Sequence, residues 1–270
     1  MNDETKPEIL ISGVPIQKAG SRSHRLSMLL WGSSGSGKTT LASTAPGRKL
    51  LVNFDPDGSS SIANRDDVDV VDFSASGSAI TEKFKQANTL GLKAALDDYD
   101  TIIVDSLTSV QALCLEKGIA GVKGATVERP SPGAYGTRNA LTLQLVMNML
   151  RMTGAANKHI IFIAHEGAPV TNAEGLVMHI SMMLGGQLPE NASLNFSEVW
   201  ALSDTGRERR IAVRPIRNRK PMKTRMFATP NANDAEFKSP FDADKLEGEG
   251  IAEWYGKWVD AGYSKIGVPK

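Results

Sequence analysis

The residues best suited to chemistry lie in one glycine-rich stretch. They are Gly32, Ser33, Ser34, Gly35, Ser36, Gly37, Lys38, Thr39 and Thr40. The stretch fits the pattern G-x-x-x-x-G-K-[ST], in which the glycines let the backbone wrap closely and point its N–H groups at a phosphate. In such a loop Lys38 would reach the β- and γ-phosphates of a nucleotide, and the Thr39 hydroxyl would ligate Mg²⁺. The alternative is a plain Gly/Ser-rich turn.

The segments on either side of the stretch favour the phosphate-binding interpretation. The apolar run at residues 26–31 precedes it and is typical of a buried strand. Residues 40–43 follow it and can begin a helix, whose positive end would face the β-phosphate. A strand, a glycine-rich loop and a helix in this order are the setting of a P-loop, also called Walker A. The sequence therefore predicts a site for a nucleotide and Mg²⁺.

Asp105 is a second candidate at this site. It ends the apolar run at residues 101–104, downstream of the predicted P-loop. An apolar strand that ends in a carboxylate is the Walker B arrangement, in which the acid holds Mg²⁺ through water. We expect this strand to lie directly beside the strand that precedes the P-loop. Thr39 and Asp105 are thus the predicted metal ligands.

Hydrolysis also requires a group that orients the attacking water. In some P-loop proteins this group is a glutamate directly after the Walker B aspartate. Here Ser106 follows Asp105, so that arrangement is excluded. The remaining candidates are Asp55 and Asp57, which follow another predicted strand at residues 50–54. We favour Asp57 as the catalytic acid, although Asp-Pro-Asp-Gly is also common turn chemistry.

Two histidines flank the apolar run at residues 160–164, which predicts a further buried strand. His165 ends this strand, which we expect beside the Walker B strand. From there its side chain would sense the γ-phosphate, and a purely structural histidine is the alternative. His159 lies at the opposite edge of the sheet, and we assign it no role.

A dense basic run occurs late in the chain, with Glu208 as its only nearby acid. Its members are Arg207, Arg209, Arg210, Arg214, Arg217, Arg219, Lys220, Lys223 and Arg225. Such a run can be a solvated face, a stripe for nucleic acid, or a source of cations for a neighbouring subunit's ATP site. Its density favours a phosphate-facing role, but charge alone does not distinguish DNA from ATP.

The bulk composition is that of an ordinary globular protein. The 270 residues are 41% hydrophobic and 23% charged, and the net charge of +1 requires any nucleic-acid surface to be local. Cys114 is the single cysteine, which excludes an intramolecular disulfide. The N-terminus lacks the apolar core of a signal peptide, and no apolar run is long enough to cross a bilayer. We therefore expect a soluble, cytoplasmic protein.

Predicted strands alternate with predicted helices up to His165, which is typical of an α/β fold with a mainly parallel sheet flanked by helices. Residues 78–97 have helical spacing, and residues 118–136 form a predicted long loop before a helix at 141–152. A C-terminal β-hairpin is expected over residues 196–215.

This pattern predicts a division of the chain into three parts. A flexible tail covers residues 1–24, an ATPase domain covers 25–227, and a polar linker with a C-terminal helix covers 228–270. The aromatic residues of that last helix, Trp254 and Trp258 among them, are expected to pack in the core.

In combination, three of these segments resemble phage-encoded RecA-like ATPases. The segments are residues 32–40, 51–58 and 99–108, and the resemblance extends over residues 26–227. Such proteins are small single-domain members of the RecA class, often described as AAA-type ATPases and found beside phage recombination genes. The resemblance implies a RecA-like P-loop NTPase core that binds ATP and Mg²⁺ and hydrolyses ATP in company with single-stranded DNA.

The resemblance also implies roles for single residues. The catalytic acid falls on Asp57, where the family more usually carries Glu, and the sensing polar residue falls on His165. Lys223 and Arg225 resemble a Lys-x-Arg element that reaches into the adjacent protomer's ATP site. Lys38 and Asp105 keep the roles that their motifs give them.

A contribution from a neighbouring protomer implies a homo-oligomer, either a ring or a filament, with ATP sites at its subunit interfaces. The family's DNA-facing loops would correspond to residues 118–136 and 166–180, and a phage annealing or single-strand-binding protein is a possible partner.

Two other classes of function stay open. The shortened acid Asp57 would suit a nucleotide-gated scaffold with little hydrolysis, and a small-molecule phosphotransferase would need arginines near the P-loop.

Overall fold

A mainly parallel sheet with helices on both faces forms the centre of the computed structural model. The structure describes residues 10–12, 14–16, 18, 24–74, 82–83, 85, 96–229 and 232–269. In chain order the strands are β1 (Leu10–Ile11), β2 (Val14–Pro15), β3 (Ser27–Gly32), β4 (Lys49–Asn53), β5 (Val68–Asp72), β6 (Thr101–Asp105), β7 (His159–His165), β8 (Val170–Thr171), β9 (Val177–His179), β10 (Glu198–Asp204), β11 (Arg209–Ala212), β12 (Phe227–Ala228), β13 (Glu236–Lys238), β14 (Phe241–Asp242), β15 (Glu247–Gly248) and β16 (Ile266–Gly267). The helices are α1 (Lys38–Ala42), α2 (Leu107–Ala120), α3 (Pro132–Ala155), α4 (Leu188–Ser193) and α5 (Ile251–Asp260).

The order of strands in the central sheet is β13-β11-β10-β3-β7-β6-β4-β5. The strands from β10 to β5 run parallel, whereas β11 and β13 add to the edge in antiparallel orientation. The predicted α/β class and the C-terminal hairpin of β10 and β11 are confirmed. One expectation is wrong, because β7 lies between β3 and β6 and the Walker B strand is not adjacent to the P-loop strand.

The side chains of the central strands alternate between two apolar layers. On β3, Leu29 and Trp31 pack against the layer that holds α2 and α3, while Met28 and Leu30 pack against the layer with α1 and α5. This alternation follows from the two-residue period of a strand. Because both faces are covered, these strands are fully buried apolar runs, as is usual for parallel sheets. As we expect, Trp254 and Trp258 are core residues, with exposures of 1% and 6%.

Helices α2 and α3 both begin at serine caps. The Ser106 hydroxyl accepts the backbone N–H of Ser109 at the start of α2, at 3.2 Å. Ser131 caps α3 in the same way, and Pro132 occupies its first turn, where proline is tolerated. Helix α3 therefore begins well before residue 141, and the predicted loop at 118–136 is shorter than we expect.

Other expectations concern the N-terminal tail, the predicted helix at 78–97 and the predicted C-terminal linker. Most of residues 1–24 and most of the predicted helix at 78–97 lie outside the described residues. Where we predict a polar linker, at residues 228–248, the structure has the short strands β13, β14 and β15. β13 belongs to the central sheet through its pairing with β11. In the part of the chain that the structure describes, no helix combines the length and the apolar character that a membrane span requires.

Candidate functional site

The glycine-rich stretch connects β3 to α1 at the carboxyl edge of the sheet. A Cβ on Gly32 would lie 2.1 Å from the carbonyl oxygen of Leu202 on β10, so no side chain fits there. Gly35 and Gly37 have φ values of 76° and 86°, a region that glycine adopts at little cost. The loop conformation thus depends on glycine at each of these positions, which is why the sequence pattern is informative.

Lys38 lies against the loop that precedes it. Its Nζ donates hydrogen bonds to the carbonyl oxygens of Gly32 and Ser33, at 3.1 and 2.7 Å. Burial lowers the pKa of Lys38, and the nearby carboxylates of Asp105 and Asp55 oppose this shift. Within the loop, the buried Ser36 hydroxyl has no hydrogen-bond partner among the described residues. These features fit a loop whose polar groups are available to a phosphate chain.

Thr39 and Asp105 meet although they come from different motifs. The Thr39 hydroxyl donates to the Asp105 carboxylate at 2.5 Å. Burial raises the pKa of Asp105 to about 6; the hydrogen bond from Thr39 lowers it, and the charge of Asp55 raises it further. A buried carboxylate beside a hydroxyl is a donor set that suits a hard cation such as Mg²⁺. The predicted pair of metal ligands is therefore adjacent in space, even with β7 between their strands.

Asp55 occupies a hydrogen-bonded position next to this pair. Its Oδ2 lies 2.8 Å from Nε2 of His165, and its Oδ1 accepts hydrogen bonds from the hydroxyls of Ser106, at 3.0 Å, and Ser109. Burial works against ionisation of this carboxyl, but the hydrogen bonds from His165, Ser109 and Ser106 outweigh it and hold the pKa of Asp55 below its ordinary value. Asp55 is thus an ionised carboxylate that fixes the His165 ring.

Asp57, the acid that we favour from the sequence, has a different setting. It is exposed, and its backbone has φ +55° in the turn that follows β4. Asp55, Asp57, Asp105 and His165 all line one cavity of about 550 Å³ together with the P-loop. The catalytic role of Asp57 stays a prediction, and Asp55 is the carboxylate with fixed partners.

Lys223 and Arg225 lie away from this cavity. Lys223 pairs with Val199 near the start of β10, whereas Leu202 of the same strand lies beside Gly32 of the P-loop. The Lys223 Nζ donates to the carbonyl oxygen of Leu194 at 3.1 Å, and the Arg225 side chain is exposed. Neither residue therefore lines the P-loop cavity of its own chain, and their predicted role in a neighbour's site stays a prediction.

The structure changes the interpretation of the basic run, because acids remote in sequence pair with two of its members. Arg219 pairs with Glu166, the residue after His165, and Arg209 pairs with Asp244 at 2.9 Å. Arg209 and Asp244 also line the cavity of the P-loop. Sequence reasoning missed this contribution, and no local signal marks it, since it depends on the turn after β14.

Comparison with protein families adds one match to this geometry. A family model described as an AAA domain, AAA_24, matches residues 24–201. The match takes in more than half of the chain, including the P-loop, Asp105 and His165. No curated protein matches the chain.

Proposed function

Since the chain belongs to the AAA_24 family of P-loop ATPases, we propose that it hydrolyses ATP with Mg²⁺ as the cofactor. One observation carries this proposal. The Thr39 hydroxyl, just after the P-loop lysine, donates to the Asp105 carboxylate at 2.5 Å. The P-loop and Walker B groups are thus assembled at one end of the sheet, where ligands of open α/β folds bind.

The residues of the site have separate roles in binding the phosphates and the metal. Lys38 binds the β- and γ-phosphate oxygens, after it gives up its hydrogen bonds to the loop carbonyls. Thr39 and Asp105 hold Mg²⁺, which stabilises the negative charge on the phosphate oxygens when it is bound. The backbone N–H groups of the glycine-rich loop surround the phosphates.

We assign the orientation of the attacking water to the pair of Asp55 and His165. When the His165 Nε2–H donates to Asp55, the Nδ1 atom of the neutral ring is left as a hydrogen-bond acceptor. That acceptor can orient a water and take its proton, as a histidine held by a carboxylate does in other hydrolases. The ring would extend the reach of Asp55, whose side chain is one methylene shorter than that of Glu. Asp57 is the alternative acid, at the exposed rim.

A nucleotide-gated scaffold with little turnover is the second candidate, and one observation favours it. Both oxygens of Asp55 are already engaged by His165, Ser106 and Ser109. Each hydrogen bond to the carboxylate lowers its basicity and competes with water for its lone pairs. If this network does not rearrange, the protein would bind ATP and change its assembly without efficient hydrolysis.

The finer proposal is a RecA-like phage recombination ATPase that acts with single-stranded DNA as a ring or filament. It is supported by the resemblance of the motifs and by the position of Lys223 and Arg225 outside the cavity of their own chain. In an oligomer these cations would stabilise the charge that develops in a neighbour's site. A phage annealing or single-strand-binding protein would be the partner.

Steady-state ATP hydrolysis with and without single-stranded DNA tests the proposal, with Lys38→Ala as the blank and EDTA to remove Mg²⁺. We expect turnover that needs Mg²⁺, rises with DNA and is lost in the blank. Tight ATP binding with turnover no higher than the blank would favour the scaffold. No difference in ATP binding between the two proteins would contradict the nucleotide site itself.

The role of Lys223 and Arg225 has its own test. Lys223→Ala and Arg225→Ala should lose turnover and retain nucleotide binding, and mixing either with Asp105→Asn subunits should restore part of the turnover. Such rescue arises because some interfaces then combine an intact site with intact cations. Loss of DNA binding with ATP turnover preserved would contradict the assignment.

A further inference from the structure

Arg209, the first residue of β11, lies over the P-loop of its own chain. A Cβ on Gly37 would be 3.1 Å from Cδ of Arg209, so the arginine stem covers the loop at that glycine. The guanidinium is held from two sides. Nη2 donates to Asp244 Oδ1 at 2.9 Å, and Nε lies 3.5 Å from Asp204 Oδ2.

The hydrogen bonding of this guanidinium is incomplete. Its Nε is buried and has no hydrogen-bond partner among the described residues, since 3.5 Å from Asp204 is too long for one. The side chain as a whole is 23% exposed. A buried N–H without an acceptor is costly, and native proteins rarely leave one so. The guanidinium therefore has hydrogen-bonding capacity that the described part of the chain leaves unused.

The space beside Arg209 is large enough for such an acceptor. Arg209 and Asp244 line the P-loop cavity of about 550 Å³ and also a neighbouring cavity of about 470 Å³. The guanidinium thus stands at the boundary between the phosphate end of the site and the space next to it. The lining of the P-loop cavity also includes three further acids, Asp55, Asp57 and Asp105, and the lysine Lys38.

The partner Asp244 is weakly held. Its side chain is 78% exposed, and an ion pair at that exposure contributes little because water competes for both charges. A phosphate chain carries more negative charge than one carboxylate, and its oxygens match the planar fork of a guanidinium. A bound nucleotide would therefore compete successfully with Asp244 for Arg209.

We propose that Arg209 is a ligand for the nucleotide's phosphate chain in the same chain as the P-loop, and that it exchanges Asp244 for the phosphates on binding. This inference rests on the proposed nucleotide site and extends it. It separates Arg209 from Lys223 and Arg225, which lie outside the cavity. Asp244 then acts as a competitor, because it occupies the guanidinium until a nucleotide replaces it.

The test is ADP binding, measured by calorimetry with Mg²⁺, to the intact chain and three variants. Arg209→Ala should weaken ADP binding by roughly tenfold or more, the usual effect of losing a hydrogen bond between charged groups. Asp244→Asn should tighten binding severalfold, because the competing charge is gone. Arg210→Ala is the matched control, since Arg210 is the next residue on β11 and has its own pair with Glu208, but does not line the P-loop cavity.

The opposite signs distinguish this proposal from a merely structural ion pair. If the pair only supports the loop around Asp244, both Arg209→Ala and Asp244→Asn should weaken binding, and that result would overturn the proposal. Unchanged binding by Arg209→Ala would overturn it too. Arg209→Lys, which keeps the charge but not the fork, provides a second measurement if the alanine variant does not fold, and we expect an intermediate loss.

Two further measurements complete the design. Inorganic tripolyphosphate should show the same loss in Arg209→Ala as ADP does; a loss restricted to ADP would place Arg209 at the nucleoside and contradict a phosphate contact. Lys38→Ala separates the two levels of the argument. If Lys38→Ala loses binding and Arg209→Ala does not, only this inference fails. If Lys38→Ala binds normally, the nucleotide site itself fails.

Discussion

The two ends of β7 each carry a histidine, and the two rings have opposite surroundings. At the carboxyl end, His165 lies beside Gly32 of the P-loop strand and bonds the carboxylate of Asp55. At the amino end, Nδ1 of His159 accepts the backbone N–H of Leu26 at 3.0 Å, and the ring packs edge-on against Tyr255 with centroids 4.8 Å apart. One strand therefore presents the same residue type to a charged cavity and to an aromatic cluster.

The difference follows from what else each edge of the sheet provides. Parallel strands bring their carboxyl ends together, so Asp105 and the segment after β4 meet His165 there. At the amino edge Tyr255 of α5 packs against the His159 ring instead. Burial there lowers the pKa of His159 to about 4; Asp100 opposes the shift, and Arg25 and Lys158 add to it. Changes at the carboxyl edge should thus affect turnover, and changes at the amino edge should affect stability.

The largest expected effect is at the carboxyl edge. His165→Ala and Asp55→Ala should each lower ATP turnover by about 10²- to 10⁴-fold, the range for loss of a general base, with ADP affinity nearly unchanged. The turnover of the double variant should be no lower than that of the less active single variant, because the two residues act as a unit. Steady-state kinetics and calorimetry check this. If the defects multiply instead, the pairing of the two residues is not what matters.

At the amino edge, the next largest effect is on pH dependence. His159 has a folded pKa of about 4, below the ordinary 6.5, so between these values the unfolded chain binds a proton that the folded chain does not. Stability is therefore lost as the pH falls from 6.5 toward 4, by about 2 kcal/mol between pH 7 and pH 5. Urea unfolding at both pH values should show this loss, and His159→Asn should remove it. An equal loss in the variant would contradict the assignment.

Removal of the His159 ring at neutral pH should have an effect of comparable size. His159→Ala leaves the buried Leu26 N–H without its acceptor and removes the contact with Tyr255, at an expected cost of about 1–3 kcal/mol. Turnover per folded molecule should not change. His24→Ala, an exposed histidine of the same aromatic cluster, is the control for the ring contacts. A turnover defect in His159→Ala would break the division between the two edges.

The smallest effect is expected for Tyr255→Phe. The Tyr255 hydroxyl donates to the carbonyl oxygen of His24 at 2.9 Å, in an exposed position. Water can replace this bond, so the loss should be about 0.5 kcal/mol, and thermal unfolding should detect only a slight shift. A loss as large as that of His159→Ala would mean that the hydroxyl, rather than burial of the rings, stabilises the amino edge.

The parts of the site that sequence predicts are those with a local pattern. The P-loop depends on glycines at fixed spacing, and β6 depends on an apolar run before Asp105, so both could be located from short stretches. The order of the strands has no local signal. β7 follows β6 in the chain but inserts between it and β3, which is why the expected adjacency is wrong.

Two further differences come from backbone conformation and from distant contacts. Asp55 and Asp57 are the same residue type in the same turn, so the sequence does not distinguish their roles. In the structure the turn after β4 directs Asp55 to His165 and leaves Asp57 exposed. Arg209 belongs to a charged run that looks uniform in sequence. Its partner Asp244 lies far along the chain, so only the folded structure separates it from the other arginines.

The contact between Thr44 and Gly250 has a consequence for the evolution of this chain. The Thr44 hydroxyl accepts the backbone N–H of Ile251, and a Cβ on Gly250 would lie 2.4 Å from that hydroxyl oxygen. Thr44 follows α1, within the AAA domain, whereas Gly250 stands well beyond the matched residues. The same Cβ would lie 2.5 Å from Cβ of Thr44, so any residue other than glycine at position 44 requires glycine at 250, and the two positions should covary among relatives. Such a record would show that the C-terminal segment and the end of the P-loop helix have changed together.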